Sequence, residues 1–170
     1  GNEITIRQLL QHRSGLVNVT HYPAWLEAAL RSPATRPIDT LRFAGSEPLV
    51  FDPDSRWSYS NTNYIALGLV IENVTGRSYA LELKQRIIKP LGLRHTALAQ
   101  TRQLPDLDDA GYNPTIPWAA GAIISNAHDL SRFYSALLSG RILSSASTLR
   151  LKTTVEGGRV GLGIFSTKLP

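Results

Sequence analysis

The chain has 170 residues, 42% hydrophobic and 18% charged, a balance that supports one domain with a real core and excludes a disordered or low-complexity protein. Its lack of cysteine excludes disulfide frameworks and thiolate chemistry, and no apolar run reaches the roughly 18–20 residues that cross a bilayer. The formal charge of +5 invites a nucleic-acid partner, but the eighteen lysines and arginines are dispersed from Arg7 to Lys168, so no nucleic-acid binding is expected.

The opening "ITIRQLLQHRSGL" predicts a short helix capped by Thr5 and closed by Gly15. "PAWLEAALR" from Pro23 and "PIDTLRFA" from Pro37 each put proline in a first helical turn. Residues 47–58, "EPLVFDPDSRWS", read as loop with room for a short strand. From Thr62 to Thr75, Tyr64, Ile65, Leu67, Leu69, Val70, Ile71 and Val74 cover most of a helix that Gly76 ends, so deep burial is expected. Ser78 caps the next helix, "YALELKQRIIK", which should stop before Pro90.

Residues 93–120 carry three prolines and weak periodicity, and a loop of that length is expected to be functional and to line a cleft. "SNAHDLSRFYSALLSG" is a helix with Asn126 as cap, Asp129 at the capping-box position, a stripe of Leu130, Phe133, Leu137 and Leu138, and Gly140 at its end. A shorter helix spans 145–152. "VGLGIFSTKLP" then reads as a strand with no evident partner in the chain.

Four dispersed histidines, no His-Glu-x-x-His run and no cysteine point away from a metal site, and no glycine-rich phosphate loop occurs. "GRSYA" at 76–80 approaches a nucleophile elbow, but Ala80 replaces the second glycine and Ser78 is better placed as a helix cap. His12 and Ser14 in "HRSGL" read as structural. Tyr59-Ser60-Asn61 is the stretch with chemistry: in an extended segment the side chains of Tyr59 and Asn61 share a side while Ser60 turns away. The helix that follows aims the positive end of its dipole at the same region, which suits a polarised carbonyl. On spacing alone, Asn61 as a plain helix cap and Tyr59 as a half-buried aromatic are the favoured explanation of the tripeptide.

"HRSGL", "WSYSNTNYIALGLVIENVTGRSY", "IIKPLGL" and "AAGAIISNAHDLSRFYSALLSG" stand in the order seen in the penicillin-recognising serine hydrolases. The chain resembles the branch that holds class C β-lactamases, D-alanyl-D-alanine carboxypeptidases and related esterases. The resemblance implies a mainly α fold with minor β, the helical lobe of the β-lactamase/DD-peptidase architecture without most of its α/β lobe. Residues 1–155 would form that lobe and 156–170 would begin a strand of the other. It implies a covalent serine intermediate, no cofactor, an extracytoplasmic setting, and a small-molecule or peptide substrate such as a D-alanyl peptide, a β-lactam or an ester.

By the same resemblance Tyr59 and Asn61 match the family's Tyr-x-Asn motif, with Tyr59 as general base and later acid and Asn61 on the substrate's amide carbonyl. Trp118 is a candidate substrate contact at the cleft lip. The family's Ser-x-x-Lys and its Lys-Thr-Gly or His-x-Gly are absent from these residues, so the chain alone is expected to be a fragment and inert. A phenol acting as a base near neutrality needs close cations, and only Arg56 lies near Tyr59 in sequence. A carboxylesterase and a non-catalytic ligand-binding module are the alternatives. The sequons at Asn18 and Asn73 read as coincidental, the second because its helix is expected to be buried.

Overall fold

Helix α1 (Ile6–Leu10) begins as the sequence predicts. Thr5 Oγ1 accepts the Gln8 amide proton at 3.2 Å and Gln8 Oε1 accepts that of Thr5 at 2.8 Å, a reciprocal capping box. The structure, a computed structural model, describes residues 4–31, 35–99, 113 and 115–166. Unlike the expectation, α1 ends at Leu10, and His12 already has a left-handed φ of 55°. The tertiary bond from the Ser60 amide to His12 Nδ1, at 3.2 Å, holds that turn. Gly15, at φ 77°, bends the chain a few residues later.

Helix α2 (Pro23–Arg31) keeps its predicted bounds, and α3 (Pro37–Ser46) runs on past Ala44. Val17, Val19 and Ala44 form a buried cluster, with Tyr22, Trp25 and Phe43 packed against it. Burying each such side chain stabilises the fold by about 1.5–3 kcal/mol. Residues 47–58 turn and bend without forming a strand, consistent with the missing amide protons of Pro48 and Pro53.

Helix α4 (Asn61–Thr75) is the longest described, and Gly76 ends it at φ 66° with its amide on Glu72 O. Its burial departs from expectation: Thr62, Asn63, Ile65, Ala66 and Gly68 are buried, while Ile71 and Val74 are 37% and 77% exposed. Only the first half runs through the molecule, between α1, α3 and the turn Trp118–Ala120. At Gly68 an added Cβ would lie 2.6 Å from both Ala119 Cβ and the Trp118 ring, so a glycine is what lets that turn sit on the helix. Asn73 is exposed rather than buried.

Helix α5 (Tyr79–Leu83) starts with Ser78 Oγ accepting the Leu81 amide proton. A π turn over Lys84–Ile88 leads into α6 (Lys89–Leu91), so the helical path carries Pro90 instead of stopping before it. A proline inside an α-helix crowds the carbonyl four residues back and leaves it unbonded. The wider π register, with the Lys89 amide on Lys84 O, relieves that conflict. Gly92 then closes the helix at φ 61°.

Two short strands, β1 (Ala97–Leu98) and β2 (Ile123–Ile124), pair antiparallel with Ala97 opposite Ile124. Residues 100–112 and 114 of the predicted cleft loop lie outside the described residues. Helix α7 (Ala127–Leu138) takes the Asn126 cap, and Asn126 Oδ1 accepts the Asp129 amide proton at 2.9 Å. Asp129 does not complete a capping box; its Oδ2 instead accepts from the His95 amide at 2.7 Å and Thr96 Oγ1 at 2.9 Å. Of the expected stripe, Leu137 is buried, but Leu130 and Leu138 are exposed.

Helix α8 (Ser145–Lys152) matches its predicted span. Through residue 166 the expected strand reduces to isolated bridges, Val155 to Val160 and Val160 to Phe165. Gly163, at φ 77°, breaks the extended run that starts at Val160.

Candidate active site

Ser60, at φ −146° and ψ 122°, is extended, and its side chain leaves its neighbours as the period of two predicts. Ser60 is 1% exposed and its hydroxyl donates to Val17 O at 2.9 Å. Tyr59, 44% exposed, donates its phenolic proton to Asn61 Oδ1 at 3.1 Å. The two predicted residues therefore stand in contact on one side of the strand-like segment that enters α4.

Asn61 is not the helix cap. It is the first helical residue, and the cap comes from Asn18, whose Oδ1 accepts the Asn61 backbone proton at 3.2 Å. The same oxygen accepts from Asn61 Nδ2 at 3.2 Å and from Thr20 Oγ1 at 3.1 Å, and Thr20 Oγ1 lies 3.4 Å from Asn61 Nδ2. These bonds fix which end of the Asn61 amide faces Tyr59. Asn18 is 8% exposed and committed to this network, which makes its sequon a poor glycosylation acceptor. The first amide of α4 is likewise taken, so the site is built on side chains rather than on a bare helix terminus.

His12 lies beneath the pair. Its ring centroid is 4.5 Å from that of Tyr59, 5.1 Å from Tyr64, 6.0 Å from Phe165 and 6.3 Å from Trp57. Nδ1 accepts the Ser60 amide proton and lies 3.1 Å from Asn63 Nδ2. Burial pushes the His12 pKa down from 6.5 to about 4, so the ring is neutral at physiological pH. Ser14 is fully buried and its hydroxyl bonds Asn63 Oδ1 at 2.5 Å. His12 and Ser14 are scaffold, in keeping with the sequence. The Tyr64 hydroxyl, which donates to Leu10 O at 3.1 Å, has its pKa pushed up to about 12 by burial.

A pH dependence of stability follows. The fold disfavours charged His12, so its contribution is complete above pH 6.5 and is lost as pH falls through about 4. The expected loss across that window is about 3 kcal/mol. Urea midpoints measured from pH 7.5 to pH 4 check it, and a His12→Gln variant should start lower and lose most of this slope.

Arg13 joins the site to the end of the described chain. Its Nε meets Asp54 Oδ1 at 2.7 Å and Nη1 pairs with Glu156. The turn from Val155 is thereby drawn toward the 12–15 bend, and Phe165 stacks on His12. Arg56 does not reach Tyr59: its guanidinium donates to Val50 O at 2.7 Å and lies 5.0 Å over the Phe51 ring. Trp118 is not brought to the pair either. Its ring packs on Gly68 and meets Tyr79 edge-on at 5.3 Å. Asn18 and Phe165 went unrecognised in the sequence as parts of this cluster, Asn18 having been read only as a sequon.

The Beta-lactamase family profile matches residues 1–165. The chain belongs to that family of serine hydrolases, and its mainly helical structure with one small sheet among the described residues is a helical part of the β-lactamase-like fold. It is similar to a D-stereospecific amidohydrolase from Streptomyces, with 37% identity and a TM-score of 0.84 over 94% of this chain and 56% of that one. A D-amino acid amidase from Ochrobactrum anthropi SV3 superposes with a TM-score of 0.77 at 26% identity, over 94% of this chain and 53% of the amidase. A penicillin-binding protein from Bacillus halodurans gives 0.78 at 25%, over 94% and 55%. The chain spans 43% or less of the length of the first curated relatives it matches. Among the described residues no helix is long and apolar enough to cross a membrane, and no cluster of potential metal ligands occurs.

Proposed function

We propose that the chain is the Tyr-x-Asn part of a serine acyl-transfer hydrolase acting on amide-like carbonyls next to D-configured residues: D-alanyl peptides, D-amino acid amides or β-lactams. The observation that carries this reading is the contact of Tyr59 Oη with Asn61 Oδ1, with the Asn61 amide held by Asn18 and Thr20. In this mechanism Tyr59 moves the proton from the nucleophile to the leaving group, and Asn61 turns its amide to the substrate carbonyl once substrate replaces the resting contacts. No serine here has lysine three residues on, so the nucleophile and its lysine come from sequence outside these 170 residues. The D-stereospecific and D-amino acid neighbours favour D-residue substrates, and the relatives' penicillin-binding names favour an extracytoplasmic setting.

The test is intact mass of the whole gene product after incubation with benzylpenicillin, paired with ammonia release from D- and L-phenylalanine amide. A covalent adduct of one opened lactam, or D-selective amide hydrolysis, is the expected result. Failure of both assays with the lactam left intact would overturn the proposal. Residues 1–170 alone should be inert in both.

A further inference from the structure

A cleft of about 340 Å³ lies where the end of α6 meets the start of α7, lined by Gly92, Arg94, His95, His128, Asp129 and Arg132. None of these residues belongs to the Tyr59 cluster. The volume falls in the range of about 300–1,000 Å³ typical of small-ligand sites.

Its walls are fixed by buried or bonded groups. Arg132 clamps the end of α6, with Nε and Nη2 donating to Leu91 O at 3.2 and 2.8 Å. Gly92, at φ 61°, closes α6 in the left-handed conformation beside that guanidinium. Asp129, 1% exposed, ties α7 to the segment after Gly92 through the His95 amide and Thr96. Its negative charge is thereby committed to protein donors.

The rim is different. Arg94, His95 and His128 are exposed, and among the described residues no hydrogen bond or ion pair engages the Arg94 guanidinium. His128 Nδ1 lies 3.4 Å from Asp129 Oδ1. Two guanidiniums against one internally bonded carboxylate leave the cleft net positive.

We propose that this cleft binds the phosphate group of a phosphorylated small molecule or polymer. Donors here come from separate points on two chain segments, residues 92–95 and 128–132. A tetrahedral phosphate offers oxygens to donors arriving from several directions, whereas a carboxylate offers two in one plane. The guanidinium fork suits phosphate in particular.

Calorimetric titration of the protein with inorganic phosphate, glycerol 3-phosphate and acetate at constant ionic strength tests this. The expected result is one saturable site for phosphate, with acetate at least about tenfold weaker and both Arg94→Ser and the Arg94→Ser/His128→Asn pair weakening phosphate at least about tenfold. Arg150→Ser, which removes the same charge from exposed α8, should leave affinity unchanged. Tighter binding of glycerol 3-phosphate than of phosphate assigns the site to phosphorylated molecules, and equal binding assigns it to the phosphate group alone. Absence of a saturable site, equal loss in Arg150→Ser, or acetate binding as tightly as phosphate would overturn the proposal.

Discussion

Tyr59→Phe in the whole gene product is expected to lower kcat/KM about 100- to 10,000-fold, the usual range for removing a positioned proton carrier. The loss should fall on kcat, because in the proposed mechanism the missing hydroxyl acts on the reacting proton while the ring that remains keeps its place over His12. Stability should change little. The deleted hydroxyl is on a residue 44% exposed and makes a single described bond, to Asn61, so the melting temperature should stay within about 2 °C. A variant keeping more than about a fifth of the wild-type kcat/KM would remove Tyr59 from the proton path. A variant that melts much lower would make it structural. Asn18→Ala offers a graded comparison: it touches no reacting atom, yet it releases the Asn61 amide and should lower activity by a smaller factor.

The second large effect is on folding. Gly15→Ala is expected to cost about 3–5 kcal/mol, in the range reserved for severe backbone or packing conflicts. At φ 77° any side chain is strained, and the new Cβ would stand 2.0 Å from the Phe51 carbonyl oxygen. Backbone is the obstacle, so no rotamer change relieves it, and the Val50 amide bonded to Gly15 O at 2.9 Å ties the two segments together. Gly76→Ala separates the two causes. Gly76 has φ 66° but nothing within 4 Å of an added Cβ, so only the dihedral penalty of about 1 kcal/mol applies. Urea unfolding of both variants checks the pair, and equal losses would show that the Phe51 contact gives way without cost.

What could be read from residues alone was local. Pro23, Pro37, Ser78, Asn126 and the span 145–152 fixed helix starts because caps and first-turn prolines act within a few residues. The shared direction of Tyr59 and Asn61 followed from the period of an extended chain. Several misses involve a partner far away in sequence. The burial of α4 depends on which neighbours reach it, and Asp129 abandons the capping box because His95 and Thr96 present better donors. Pro90 sits in a helix because a π turn upstream makes room. Asn18 belongs to the site only because the bend at 12–15 carries it beside α4, and no local pattern announces that. The predicted strand near the end fails for a local reason: Gly163, at φ 77°, breaks the extended run.

The hydrogen bond between Tyr59 and Asn61 has a parity that constrains the working cycle. At 3.1 Å it needs one proton between two oxygens, and the proton belongs to Tyr59. Once that proton departs, two lone-pair-bearing oxygens face each other. In the resting state Asn18 and Thr20 hold the Asn61 nitrogen, so the oxygen stays toward Tyr59 until substrate displaces those contacts. The resting pair is therefore self-consistent with the phenol intact, and in the proposed mechanism a reacting group or solvent at the 44% exposed Tyr59 supplies the donor that replaces its proton.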